Sequence, residues 1–273
     1  MYTEEKNILR YSRNILIEEI GPEGQEKIHQ SSVLVVGAGG LGSAALFYLA
    51  AAGVGTIGVV DFDRVDWTNL QRQILYQEKD VGKKKVEVAA MRLRALFEDA
   101  KITTYSEKLS TDNVFDIFDS WEVIIDGTDS FESKFLINDA CVISKKPLVH
   151  CGILRFGGQF FTVIPHKTGC LRCLLPEIPQ KRDAPTCQEA GILGSVAGLF
   201  GSIQATEFLK LASGAGDPLT GKVMYLDSLT WNVRVVRLEK SDDCPVCGSD
   251  PTITRPLSPF RYGERCSREE KCR

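Results

Sequence analysis

The chain has 273 residues, with 33 Lys and Arg against 36 Asp and Glu and a formal charge of -3. That length allows one large or two small domains around a substantial core, and a charge so near balance gives no sign of a nucleic-acid surface. Met1 to Arg10 mixes charged and polar residues without the apolar stretch of a secretion signal. Nine cysteines in that setting fit a reducing compartment with free or metal-bound thiols, so a cytoplasmic location is expected.

A charged helix is expected from Thr3 to about Ile20, ended by Gly21-Pro22, with a second short helix over Gln25 to Gln30. The first strand is the apolar run Ser32 to Val36. It leads into the turn Gly37-Ala38-Gly39-Gly40-Leu41-Gly42, a helix over Leu41 to Ala52 stopped by Gly53, and a second strand, Thr56 to Val60, tipped by Asp61. Helical spacing recurs over Asp80 to Glu98, with Val86, Ala90, Leu93 and Phe97 on one face. Ile102 to Tyr105 reads as a strand, Val114 to Ser120 as a helix, and Trp121 to Ile125 as a strand entering Asp126-Gly127-Thr128-Asp129. A helix over Glu132 to Ser144 and a strand over Pro147 to His150 complete an alternation that predicts a Rossmann-like, mostly parallel sheet with helices on both faces.

After Gly152 the pattern changes. Gly157 to Ile164, Val223 to Leu226 and Asn232 to Leu238 alternate as antiparallel strands do, so the α/β sheet is expected to gain antiparallel strands at its C-terminal end. Pro176 to Glu189, rich in Pro and charge, reads as an exposed, mobile loop. The apolar run Gly191 to Ile203 continues into Gln204, Thr206, Glu207 and Lys210. It is therefore read as a buried glycine-rich helix ended by Gly214, not as a membrane span. Residues 1–248 are expected to form one domain, with 249–273 a polar tail.

Glycines permit positive φ and let backbone amides approach phosphates, while a helix N-terminus adds partial positive charge. Gly37, Gly39, Gly40 and Gly42 therefore make a candidate phosphate cradle, and Asp61 can accept hydrogen bonds from a ribose. Up to that point a dehydrogenase fits equally well. The segments that follow, Asp61-Phe62-Asp63, Asn69-Leu70-Gln71-Arg72-Gln73 and Val81-Gly82-Lys83-Lys84-Lys85, suit a triphosphate with its metal better than a dinucleotide. Asp129 at a strand tip can bind Mg²⁺ bridged to phosphate oxygens, and Arg and Lys can steady charge on a reacting phosphoryl group. The plainer alternatives are a solvated helix start for the three lysines, a solvated helix residue for Arg13, and an N-cap for Asp129.

Cys170-Leu-Arg-Cys173 and Cys244-Pro-Val-Cys247 together make a tetrathiolate set of the kind that holds a structural zinc, with no position left for a catalytic water. Cys187 lies at the end of the mobile segment, in Thr186-Cys187-Gln188-Glu189 before the buried helix, and is either a reactive thiol or one that only packs at the helix start. Cys141 and Cys151 sit in apolar surroundings and are read as core. His29, His150 and His166 have no ligand spacing and are read as structural.

The ordered set Arg10-Tyr11-Ser12-Arg13, the glycine turn, Asp61-x-Asp63, Asn69-Leu-Gln-Arg72-Gln73, Val81-Gly82-x-x-Lys85, Thr128-Asp129 and both CxxC pairs resembles the ThiF/MoeB/HesA family, bacterial relatives of ubiquitin-activating enzymes. The resemblance runs from about Arg10 to Gly248. It implies ATP, Mg²⁺ and Zn²⁺ as cofactors and adenylation of the C-terminal glycine of a small ubiquitin-like sulfur carrier, ThiS-like in thiamine synthesis or MoaD-like in molybdopterin synthesis. By that resemblance Gly40 lies against the nucleotide, Asp61 holds the ribose, Asn69, Arg72 and Lys85 bind phosphates, and Asp129 binds Mg²⁺. Arg13 reaches the site of a second copy in a homodimer, and Cys187 resembles a cysteine that in some members links covalently to the carrier. Ser130 stands where the family usually has Asn, and the tail 249–273, with Cys266 and Cys272, extends past the usual end of the family. A NAD-dependent oxidoreductase and a non-catalytic carrier-docking module are the alternatives; the Arg72 and Lys85 segments speak against both.

Overall fold

The computed structural model describes residues 5–179, 187–257 and 262. Chain order runs α1 Glu5–Ile15, α2 Gly21–Gln30, β1 Ser32–Val36, α3 Gly40–Ala51, β2 Thr56–Val60, α4 Lys85–Leu96, β3 Lys101–Tyr105, α5 Val114–Asp119, β4 Val123–Asp126 and α6 Phe131–Ile143. It continues with β5 Leu148–Leu154, β6 Gly157–Val163, the single turns α7 Leu171–Leu174 and α8 Cys187–Ala190, α9 Gly194–Ser213, β7 Lys222–Asp227 and β8 Asn232–Arg237.

All eight strands belong to one sheet in the order β3-β2-β1-β4-β5-β6-β7-β8. β3 through β5 pair in parallel, and β5 through β8 pair antiparallel, as expected. The parallel strands are apolar on both faces because both faces are covered. Val33 and Val35 of β1 join a core with Leu46 and Leu49 of α3 and Phe208 of α9, while Leu34 and Val36 join a second core with Phe118 of α5 and Phe135 of α6. The chain leaves β1 toward β2 on one side and returns to pair β4 on the other. That reversal opens a crevice at the carboxyl ends of β1 and β4, where open α/β sheets bind ligands.

Four boundaries differ from the sequence reading. The first helix ends at Ile15, and Gly21 and Pro22 open α2 instead of closing α1, since Pro costs nothing where the amide has no intrahelical partner. The helix expected from Asp80 starts at Lys85: residues 78–80 form a 3₁₀ turn and Gly82 at φ +86° breaks the run. Ser130, not Asp129, caps α6, its Oγ accepting from Ser133 N at 3.2 Å. β5 runs on past His150 to Leu154, because β6 pairs along its whole length.

The glycine-rich α9 closes at Gly214 in the left-handed conformation (φ +80°). No helix among the described residues is long and apolar enough to cross a membrane. Tyr262 is 3% exposed and joins the core around α6.

Candidate active site

The turn after β1 closes on itself because its glycines lack side chains. A Cβ on Gly42 would stand 1.9 Å from the Gly37 carbonyl oxygen, and one on Gly37, whose φ is +93°, would stand 2.8 Å from the Gly127 oxygen. Gly42 is thus a packing glycine. At Gly39 the same atom would meet nothing nearer than 3.8 Å, so this glycine faces open space. Tyr76, which the sequence offered no reason to single out, braces the turn by donating to the Ala38 carbonyl at 2.8 Å.

That space is a cleft of about 340 Å³ at the carboxyl ends of β1, β2 and β4. Gly37, Gly39, Gly40, Asp61, Asp63, Arg72, Gln73, Lys85 and Asp129 all line it. Asp61 accepts from the Ala38 amide through Oδ2 and from the Asp63 amide through Oδ1, both at 2.8 Å, so its carboxylate is fixed beside the turn with lone pairs to spare. Burial pushes its pKa up, against the pull of Lys85 and those two amides. Lys85 is not a solvated helix residue. It is 4% exposed and donates to Asp63 Oδ2 at 2.8 Å, whereas the side chain of Lys83 is half exposed and bonds Asp80. Arg72 is steadied by Nη1 donating to Thr68 O at 2.9 Å.

The cleft fits a nucleotide triphosphate on three counts: an unobstructed glycine turn, the cations Arg72 and Lys85 in its lining, and a buried Gln73 whose Oε1, without a hydrogen-bond partner among the described residues, can accept from a hydroxyl or N–H of the nucleotide. It fits a magnesium ion because Asp129 is exposed at the β4 tip with no ion-pair partner among the described residues.

Other predicted residues lie elsewhere. Asn69 accepts from the Asp66 amide at 3.2 Å in a capping box and does not line the cleft. Arg13 is exposed on α1 and does not reach the cleft of its own chain. Cys187 begins α8, but its side chain lies outside the described residues, as do the loop 180–186, Cys266 and Cys272. Cys141 and Cys151 are fully buried core residues, as expected.

The two CxxC pairs meet. Their four Sγ atoms lie within 4.8 Å of one another, with Cys170 to Cys244 at 3.7 Å and Cys173 to Cys247 at 3.4 Å. Zinc–sulfur bonds of about 2.3 Å in a tetrahedron place sulfurs roughly 3.8 Å apart, so the set fits zinc. The Ser241 amide donates to Cys173 Sγ at 3.4 Å. Arg172, inside the first pair, forks onto Asp139 of α6 with two contacts of 2.7 Å, and Tyr262 donates to the same carboxylate at 2.9 Å.

A second cavity, a groove of about 760 Å³ lined largely by apolar side chains, opens over β5, β6 and β7. It shares Thr128, Asp129 and Ile153 with the cleft, so the two are continuous at the β4 tip.

A glycine-turn α/β domain with a tetrathiolate knot and two cavities joined at one carboxylate defines a narrow class of nucleotide-using protein. The ThiF family profile matches residues 11–246, and the chain belongs to the ThiF family. It is 42% identical over 249 residues to a sulfur carrier protein adenylyltransferase of Thermus thermophilus, covering 89% of this chain and 92% of that one. It is also 42% identical over 258 residues to the SAMP-activating enzyme E1 of Haloferax volcanii, 94% of each. Mouse adenylyltransferase and sulfurtransferase MOCS3 is 41% identical over 268 residues, and the chain spans 58% of its length. Escherichia coli MccB crystallised with MccA-N7isoASN superposes with a TM-score of 0.80 over 91% of this chain and 76% of that one, at 24% identity, which shows the shared fold.

Proposed function

We propose that this chain adenylates the C-terminal carboxylate of a small ubiquitin-like sulfur carrier, using ATP and Mg²⁺. The observation that carries the reading is the position of Asp129, shared by a polar cleft sized for a nucleotide and an apolar groove that opens to the surface. The relatives named as sulfur-carrier adenylyltransferases over most of their length support it.

In this reading the carrier lies against the outer antiparallel strands. There β8 is exposed throughout, and Leu229, Trp231, Val233 and Val235 present apolar surface beside Arg234 and Arg237. The tail threads the groove, and its carboxylate oxygen attacks the α-phosphorus; the α–β phosphoanhydride breaks and pyrophosphate leaves with the bonding electron pair. Lys85 and Arg72 steady the charge that builds on the phosphates, Asp61 fixes the ribose, and the amides after Gly37 receive phosphate oxygens. Asp129 would hold a magnesium ion, which would supply Lewis-acid neutralisation of the triphosphate. Zinc held by the four cysteines would be structural, closing the C-terminal part of a single domain spanning 1–248.

A homodimer completes the site. Around Arg13, the side chains of Ile8, Leu9, Leu16 and Ile17 are exposed, and only Tyr11 of α1 is buried, so α1 has an apolar surface left for a second copy. Arg13 would reach the partner's phosphates. We place the carrier on the ThiS-like side, from the Asp243-Cys-Pro-Val-Cys-Gly248 segment; a MoaD-like carrier is the second reading, since the Mus musculus relative is named MOCS3.

Pyrophosphate–ATP exchange with ThiS-like and MoaD-like carriers offered separately tests this. Carrier-dependent exchange with one of them is expected, and silence with both overturns the reading.

A further inference from the structure

Behind the seam of the two cavities lies a buried charged cluster that the nucleotide reading leaves unused. Asp126 ends β4 fully enclosed. Its Oδ1 accepts from the amide and hydroxyl of Thr128 at 3.0 and 2.6 Å. Its Oδ2 accepts from Lys134 Nζ at 3.1 Å and lies 2.9 Å from His150 Nδ1. Lys134 and His150 are 7% and 1% exposed, and both line the groove where it meets Asp129.

Three buried polar side chains at one point are costly to desolvate, and ion pairing recovers that cost only when every donor and acceptor is satisfied. Here the set is incomplete. Lys134 spends two of its three hydrogens, on Asp126 Oδ2 and the Cys151 carbonyl. The His150 ring packs 4.7 Å from Phe161, and no hydrogen bond of its Nε2 occurs among the described residues. Burial holds the His150 pKa down, against the pull of Asp126. The carboxylate oxygen 2.9 Å from Nδ1, although not aligned for a full hydrogen bond, favours the neutral tautomer with its proton on Nδ1, which makes Nε2 an acceptor. Lys134 and His150 both line the groove and both lie within 3.1 Å of Asp126 Oδ2, so one donor and one acceptor are available to a ligand there. In an extended peptide, the N–H and C=O of one residue point to the same side, as in a hydrogen-bonded strand pair.

We infer that Lys134 and His150 grip one backbone unit of the incoming carrier tail next to its terminal residue, His150 accepting the N–H and Lys134 donating to the C=O. This rests on the adenylation reading above. Asp126 orients both groups without touching the tail, and the grip delivers the terminal carboxylate to the seam at Asp129. Because only backbone is read, the pair selects an extended tail and not a particular side chain.

The test is carrier-dependent pyrophosphate exchange with two carriers, one native and one semisynthetic carrier in which an ester replaces the peptide bond that donates the N–H. Wild type is expected to show about a tenfold higher KM for the ester carrier, the loss of one hydrogen bond. His150→Phe is expected to raise the KM for the native carrier about tenfold and to treat both carriers alike, with ATP affinity retained. Lys134→Met, which removes the donor to the C=O, should likewise raise the carrier KM about tenfold. If His150→Phe keeps the wild-type sensitivity to the ester, the inference is overturned although the adenylation reading stands. If wild type shows no carrier-dependent exchange, the adenylation reading fails first.

Discussion

Lys85 Nζ lies 2.8 Å from Asp63 Oδ2 with its side chain only 5% exposed, although the two residues are 22 positions apart. The Lys85 amide also donates to the Asp63 carbonyl at 3.0 Å, so the start of α4 is pinned to the segment after β2. The pair holds a cation on the cleft wall before any phosphate arrives, which is what preorganised stabilisation of developing charge requires.

Lys85→Met should therefore lower kcat for pyrophosphate exchange by about 10²- to 10³-fold, as for loss of one preorganised donor. The fold should survive, since one end of the pair is half exposed. Steady-state exchange beside circular dichroism checks this, and a kcat within threefold of wild type would remove Lys85 from the chemistry.

Arg13 provides a complementation test. Arg13→Ala and Lys85→Met homodimers should each be nearly inactive. Random mixing of their subunits should restore about a quarter of wild-type activity, because half the dimers are mixed and each carries one complete site. Absence of recovery after subunit exchange would place Arg13 outside the partner's site.

Cys173→Ser should lose stoichiometric zinc and lower Tm by on the order of 10 °C, a loss of several kcal/mol in a chain of this size. Metal analysis and calorimetry read it. A protein that is purified without zinc, or a variant with unchanged Tm, would refute the structural metal.

Tyr262→Phe removes one of the donors that surround Asp139, whose oxygens also hold the Arg172 fork. The expected cost is about 1–2 kcal/mol, a hydrogen bond to a charged group, or a fall in Tm of about 3–6 °C. An unchanged Tm would show that this contact adds nothing to stability.

Acid should weaken the fold in two stages. Burial lowers the His150 pKa, so below the unfolded value near 6.5 the unfolded chain binds a proton that the folded chain refuses, and stability falls as pH drops. Asp126, despite burial, is held well below the carboxylate range by Lys134, His150 and Thr128. Its contribution is full above about pH 4 and is lost on further acidification. Denaturation midpoints of wild type and His150→Gln between pH 7 and 5 should diverge, with a slope from this group of at most about 1.4 kcal/mol per pH unit. Parallel curves would refute the buried neutral imidazole.

Much of this protein was legible in local pattern. Apolar runs alternating with amphipathic helices dictated the parallel sheet, because strands covered on both faces must be apolar throughout. The turn at Gly37, the acidic tip at Asp61 and the paired CxxC motifs announced themselves because short-range chemistry demands glycine, carboxylate and thiolate at fixed spacing. Tertiary structure decided the rest. Lys85 is buried while Lys83 is solvated, a distinction invisible in three consecutive lysines and made by the approach of Asp63. His150 read as an isolated structural histidine because its partners Asp126, on β4, and Lys134, on α6, are distant in sequence; only the pairing of β4 with β5 and the packing of α6 bring them to one point. The joining of two cavities at Asp129 is likewise a property of strand order, since the crevice exists where the chain reverses direction across the sheet.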